Sequence, residues 1–267
     1  LERFDHFVTF NGKSFDLPLL ETRYILARQP RRLRARPHLD LLHPARRLWR
    51  SRLASCSLGA LEREILGIER SAEDVPGYLI PYLYNRFLRD GDRAPLEGIF
   101  YHNHQDLLSL ASLTVHMAAL CGEPARHAAL PAEDWYSLGR LFDEGEQRQE
   151  AEHCYRCALD GALPRPLRHE AALRLARSLK RGGAWAEACA LWRSLIGEGL
   201  LVPYEELAKY HEHRAGDIAA AESATRAALR AARQGELLLS ASDHEALRWR
   251  LARLQRKREG ADGRAQG

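Results

Sequence analysis

The sequence predicts an α/β unit followed by an all-α unit of repeated helices. Three observations carry this. Strand-like and helix-like runs alternate over residues 1–122, strand signals are absent over 131–258, and a spacing of large and small apolar residues recurs in that second stretch. A hydrophobic content of 45% over 267 residues is enough for two ordinary cores.

In the first stretch, Phe4–Phe10 (FDHFVTF) mixes aromatic and β-branched residues as a strand does. Asn11-Gly12 breaks it, and Phe15–Gln29 has helical spacing at Leu19, Leu20, Tyr24 and Ile25. Pro30 and Pro37 bracket a basic loop. Leu39–Leu42 predicts a short buried strand, and Ala45–Trp49 a helix opened by Pro44. Ser57–Leu66 follows with Ser57 as its N-cap, then Pro81–Leu88. A last apolar helix starts at Leu96 or His104 and ends at Leu120. Ser109, Ser112, Thr114 and His116 interrupt it, so it falls short of the roughly 18 apolar residues a membrane span needs. Gly122–Pro131 reads as a linker.

In the second stretch, Trp135, Leu138, Gly139, Phe142, Ala151, Tyr155 and Ala158 fall at offsets 0, 3, 4, 7, 16, 20 and 23. This resembles the tetratricopeptide repeat, in which large and small residues of one helix lock against small and aromatic residues of the next. The same frame fits Ala172, Leu175, Ala176, Leu179, Ala188 and Trp192, and again Tyr204, Leu207, Ala208, His211, Ala220, Ala224 and Ala227. Asp243–Arg258 reads as the polar-faced helix that closes such a stack, and residues 259–267 as a disordered tail. Cys154 and Cys157 form a C-x-x-C on a repeat helix without a second pair nearby, which favours packing over zinc.

The net charge of +4 hides a local excess: ten arginines lie between Glu21 and Arg52, against two acids. Arg23, Arg28, Arg31, Arg32, Arg34 and Arg36 precede the second strand; Arg46, Arg47, Arg50 and Arg52 follow it. Such a cluster suits phosphate contact, or is a solvated surface. Five scattered cysteines argue against a disulfide framework and for a reducing compartment, hence a cytoplasmic location with no membrane partner.

Two constellations carry chemistry. In Asn11-Gly12-Lys13-Ser14-Phe15-Asp16 an Asn ends a strand and Phe-Asp opens a helix. A carboxylate at a helix N-terminus is electrostatically favoured and can face a cation; the plainer reading is a helix cap. His102-Asn103-His104-Gln105-Asp106 heads the apolar helix Leu107–Leu120, and side chains four apart share one helix face. Asp40, in the second strand, reads as a structural hydrogen-bonding group.

Both constellations resemble motifs of the DEDD 3′–5′ exonucleases. The first is similar to N-x-x-x-F-D, as in the proofreading domains of family B polymerases. The second is similar to Tyr-x-x-x-Asp, with His102 in the Tyr position and Tyr101 just before it. The segments FNGKSFD, HLDLLHPARRLW, CSLGALE, DVPG-x-LIP and HN-x-x-D-x-LSL, over nearly all of residues 6–115, resemble the YprB-like group of bacterial ribonuclease-H-like proteins.

The resemblance implies an α/β ribonuclease-H-like partial domain over 1–122, followed by an all-α tetratricopeptide-like helical repeat domain over 131–258. It implies metal-dependent 3′–5′ exonucleolytic hydrolysis of DNA or RNA. Asp16 and Asp106 would ligate Mg²⁺ or Mn²⁺, and His102 would act as general base. Asn11, Phe15 and Asn103 would contact the substrate strand, with the Phe packing beneath it. Two further carboxylates of the family come from an Asp-x-Glu on an earlier strand. The chain, which starts at Leu1, therefore reads as N-terminally truncated and itself inactive. A two-metal site is expected only in the full-length protein. The alternative is a non-catalytic scaffold that binds nucleic acid, or a protein partner, through its helical repeats. An uncovered strand edge also predicts poor solubility.

Overall fold

A computed structural model describes residues 4–29, 33, 36–71, 74–127 and 129–265, with side chains as far as Gly260. Leu1, Pro30, Arg31, Arg32, Arg34, Gln266 and Gly267 lie outside the described residues. The chain divides into two compact units, Leu1–Leu141 and Phe142–Gly267.

In the first unit, β1 (Phe7–Thr9) and β2 (His38–Asp40) pair in parallel, with Phe7 opposite His38 and Thr9 opposite Asp40. Helix α1 (Asp16–Leu26) connects them. Both strands are shorter than the sequence predicts, because turns take over at their ends. Asn11 leaves β1 with φ 62, a left-handed conformation Asn tolerates better than most residues. At Gly12 a Cβ would fall 2.3 Å from the Thr9 hydroxyl, so the turn admits glycine alone.

Asp40 ties this turn to β2. It is 3% exposed, and its Oδ1 accepts from the backbone N–H groups of Asn11 (2.6 Å) and Leu42 (3.2 Å). Its Oδ2 accepts from the Lys13 N–H at 3.0 Å. The bond to Leu42 closes an Asx turn that ends the strand and starts α2 (Leu42–Trp49), three residues before the expected start. The structural hydrogen bonding expected of Asp40 is thus what its carboxylate does.

Helix α2 buries Ala45, Leu48 and Trp49, and the Trp49 ring stacks on His116 at 6.2 Å. Ser57 caps α3 (Leu58–Leu61), its hydroxyl accepting from the Ala60 N–H at 3.3 Å. The chain then widens into a π turn, Glu62–Leu66, which stops at Gly67 in the left-handed region. After α4 (Ile80–Asp90), helix α5 runs from Ala94 to Gly122, with Leu113, Met117 and Leu120 in the core. His102 and Asp106 therefore lie within this helix, not at its head, and keep their shared face. Arg52 forks onto Asp134 of α6 (Ala132–Glu144) at 3.0 and 2.9 Å. Among the described residues no helix is long and apolar enough to cross a membrane.

The second unit is helical: α7 (Arg148–Asp160), α8 (Arg165–Arg181), α9 (Trp185–Ser194), α10 (Val202–Tyr210), α11 (Ile218–Arg233) and α12 (Ala241–Ala265), each packed on the next. The repeat positions Ala151, Tyr155, Ala158, Ala172, Leu175, Ala176, Leu179, Ala188 and Trp192 are all buried. In α11, however, the buried positions include Ala221, Thr225 and Ala228, each one residue later than the frame predicts. A second π turn, His211–Ala215, supplies the extra residue. Cys154 is buried in α7, while Cys157 lies beside His153. From Glu259, where the sequence predicts a tail, α12 continues as helix to Ala265.

Glu212 sits in that second π turn with its side chain fully buried. It accepts from Arg253 (2.5 and 2.6 Å) and Lys257 (2.7 Å) of α12. Burial alone would push its carboxyl up; the hydrogen bonds from Arg253 and Lys257 and the nearby charges outweigh burial and hold it down at about 2.

Two predictions follow from these anchors. Asp40→Ala strands three backbone donors and lowers stability by about 2 kcal/mol or more, read from urea unfolding. The Glu212 contribution is present above the ordinary value of 4.5 and is lost as pH falls through about 2. Wild type should exceed Glu212→Gln in urea midpoint at pH 7, and the two should converge near pH 2.

Candidate active site

The side chains that sequence reasoning put at the site fall into two clusters. The first surrounds Arg70, a residue the sequence reading missed. Its guanidinium grips Glu62 through Nε and Nη2, both at 2.6 Å. It also donates to Asp74 Oδ2 at 3.1 Å and to Asp106 Oδ1 at 2.5 Å. His102 closes the ring: its Nδ1 lies 2.8 Å from Asp74 Oδ1 and 3.0 Å from Arg70 Nη1, and its Nε2 lies 3.4 Å from Asp106 Oδ2.

Each element of this ring has a local cause. The π turn carries Glu62 inward, where it is 1% exposed. Burial pushes its carboxyl up, but the Arg70 hydrogen bonds outweigh that and hold it below its ordinary value. The hydrogen bond to Glu62, opposed by burial and reinforced by Asp106 and Asp74, raises the Arg70 pKa, so the guanidinium stays charged. Gly77 passes close to His102, whose ring a Cβ there would touch at 3.7 Å. Three carboxylates face one guanidinium, so the ring keeps an excess of negative charge around the imidazole.

The second cluster holds Asp16, half-buried in the first turn of α1. Burial first, then the charge of Asp40, raises its carboxyl pKa; a bond from its own backbone and the neighbouring His38 oppose this. The N-cap residue Phe15 makes no capping bond, and the backbone bond of Asp16 is to its own N–H in the first turn of α1. Asn11 and Asn103 are exposed. Phe15, which the resemblance places beneath the site, is instead 66% exposed. The two-stranded sheet buries only Leu17 of α1, leaving Phe15, Leu19, Ile25 and Leu26 outward among the described residues.

Asp16 and Asp106 share no hydrogen bond, ion pair or charged neighbour among the described residues. Asp40 spends both oxygens on backbone N–H groups and Asp106 is engaged by Arg70. Among the described residues no three His, Cys, Asp or Glu side chains converge as metal ligands. As placed, these residues do not fit a divalent ion.

Beside Asn11 opens a pocket of about 710 Å³, whose wall includes Arg46, Arg50, Ser55 and Ser57. This is where part of the arginine cluster meets the first motif. Arg46 and Arg50 have no carboxylate partner among the described residues.

Residues 1–118 match the family model of the RNase_H superfamily. The uncharacterized protein YprB of Bacillus subtilis (strain 168) is 36% identical over 259 residues, which cover 94% of this chain and 60% of that protein. The chain thus spans less than two thirds of the length of this relative. No solved structure matches it significantly. The sequence match and the parallel β-α-β start agree: residues 1–118 form an RNase H-like domain, followed by a mostly helical remainder.

Proposed function

We propose that this protein is a nuclease that removes nucleotides from the 3′ end of DNA or RNA strands. One observation carries the reading: the row Asp74, His102, Asp106, an imidazole held between two carboxylates on a domain of a nuclease superfamily. Nδ1 faces both Asp74 at 2.8 Å and the Arg70 Nη1 donor at 3.0 Å. With Nδ1 accepting from Arg70, the proton sits on Nε2 towards Asp106. With the proton on Nδ1, Asp74 accepts from it and Nε2 is left as the base, the tautomer this reading requires. A general base so positioned can take the proton of an attacking water. Asn11, Phe15 and Asn103, all exposed, are the proposed strand contacts, and the Arg46 and Arg50 wall next to Asn11 would hold the phosphates.

Mg²⁺ or Mn²⁺ is the proposed cofactor; in phosphodiester hydrolysis such an ion activates water and stabilises the leaving oxygen. Asp16 and Asp106 are proposed as ligands within a protein of the relative's full length. The described residues complete no such set, so catalysis is proposed for that longer protein.

A second reading has its own support. The Arg70 ion pair neutralises Asp106 and joins α5 to the π turn, as a structural tie would. On that reading the domain is a non-catalytic platform, and the helical repeats bind nucleic acid or a protein partner.

The test is release of nucleotides from 3′-labelled single strands by the full-length protein with Mg²⁺ or Mn²⁺. Asp16→Asn, Asp106→Asn and His102→Gln should each slow release by at least about 100-fold, and a chelator should abolish it. Release at the wild-type rate in all three variants would mean that the site is assigned wrongly, and no release by wild type would leave the scaffold reading. Independently, Arg70→Met leaves Glu62, Asp74 and Asp106 facing one another and should lower stability by about 3 kcal/mol in urea unfolding. A loss under about 1 kcal/mol would mean that Arg70 is not the centre of the ring.

A further inference from the structure

The helical unit contains a pocket of about 410 Å³ that none of the nuclease motifs uses. Its floor is aromatic: the Trp185 and Tyr210 rings lie 5.7 Å apart and tilted by 31°. Its wall is cationic. Lys180, Lys209, Arg214, Arg250 and Arg253 line it, with His213 and no carboxylate. With Trp185 on α9, these groups come from α8, α9, α10, the second π turn and α12, so five segments converge on one opening.

The carboxylates that hold these cations are outside the pocket lining, and one of them, Glu205, is 30% exposed and lies 3.7 Å from Lys209. Glu206, with 17% of its side chain exposed, takes Lys180 at 2.6 Å and Lys209 at 2.8 Å. Glu212, fully buried, takes Arg253 and has Arg250 at 3.9 Å. The cations are therefore fixed in position and still present a positive face. Arg214 is exposed and has no carboxylate partner among the described residues. The Lys180 ammonium sits 5.9 Å over the Trp185 ring. One helix face further on, Trp249 is 63% exposed with the Arg253 guanidinium 5.4 Å over its ring. Glu205 and Glu245 stand beside Trp249, so the uninterrupted cationic lining is confined to the pocket itself.

A solvated arginine-rich surface does not need two rings in a shared floor, and an acidic peptide offers a ring to stack on them only at its aromatic residues. A chain with one flat ring and one negative charge per residue matches both features. We propose that this pocket binds single-stranded nucleic acid. A base stacks on the Trp185–Tyr210 floor, and flanking phosphates are held by Lys209, Arg214 and Arg250. The identity of the polyanion rests on the nuclease reading, whereas the pocket uses none of the residues assigned to cleavage.

The test is fluorescence anisotropy of labelled dT20 and rU20 oligonucleotides with the whole 267-residue chain, between about 50 and 200 mM salt. Trp185→Leu should weaken binding about 5- to 100-fold. Arg214→Glu, a surface change that spares the fold, should weaken it about 10-fold or more and lower the salt slope by about 0.7. Arg230→Glu, an exposed site on α11 outside the pocket, is the charge control and should stay within about twofold of wild type. Circular dichroism checks that Trp185→Leu is folded; if it is not, Trp185→Phe with a photo-crosslinking oligonucleotide must map contacts to the pocket. Equal losses in Arg214→Glu and Arg230→Glu would show diffuse charge and overturn the proposal, as would a polyglutamate peptide outcompeting the oligonucleotides. Unchanged binding in both pocket variants sinks the pocket alone and leaves the nuclease reading intact. No binding at all also sinks the pocket, and 3′-end release then judges the nuclease reading separately.

Discussion

Both units depend on the same physical device: a buried glutamate in a widened helical turn that holds arginine. In the first unit Glu62 grips Arg70, and in the second Glu212 grips Arg253. Each turn is a π turn closed by a left-handed glycine, Gly67 or Gly216. A carboxylate sealed from water must be paired, so the cation it selects is fixed in place. What that cation then touches is determined: Asp74 and Asp106 in one case, the wall of a basic pocket in the other. Once each glutamate is buried, the neighbouring functional groups have little freedom left.

The consequence for the candidate active site is that it is organised and electrostatically unbalanced at once. The imidazole of His102 is oriented by Asp74, and the surrounding carboxylates outnumber the guanidinium. Asp16 lies in its own cluster next to Asp40, where burial makes its negative charge expensive. The oxygens of Asp40 itself are satisfied by backbone donors, and its role is to shape the turn that presents Asp16.

What the sequence made legible was local. The Asn11-Gly12 break, the Ser57 cap and the shared face of His102 and Asp106 are properties of a few consecutive residues. The buried positions of α7, α8 and α9 were also readable, because regular helices keep a fixed spacing between them. The expected buried positions of α11 were off by one residue because a π turn leaves no mark in apolar periodicity. Arg70 was invisible for a related reason: its partners stand 8, 4, 32 and 36 positions away and are brought together by loop closure rather than by any repeating pattern. A charged triple such as Glu62, Arg70 and Asp74 inside otherwise matched segments was the available signal. Phe15 was misplaced because its burial needs a covering surface that the two-stranded sheet does not supply.

The most direct measurement of the central claim is a double-mutant cycle on 3′-end release by a protein of the relative's full length. Groups that act as one catalytic unit lose nearly everything with the first substitution. Asp16→Asn combined with Asp106→Asn should therefore be no slower than the worse single variant. If the two losses multiply instead, the carboxylates act independently and the two clusters do not form one active site.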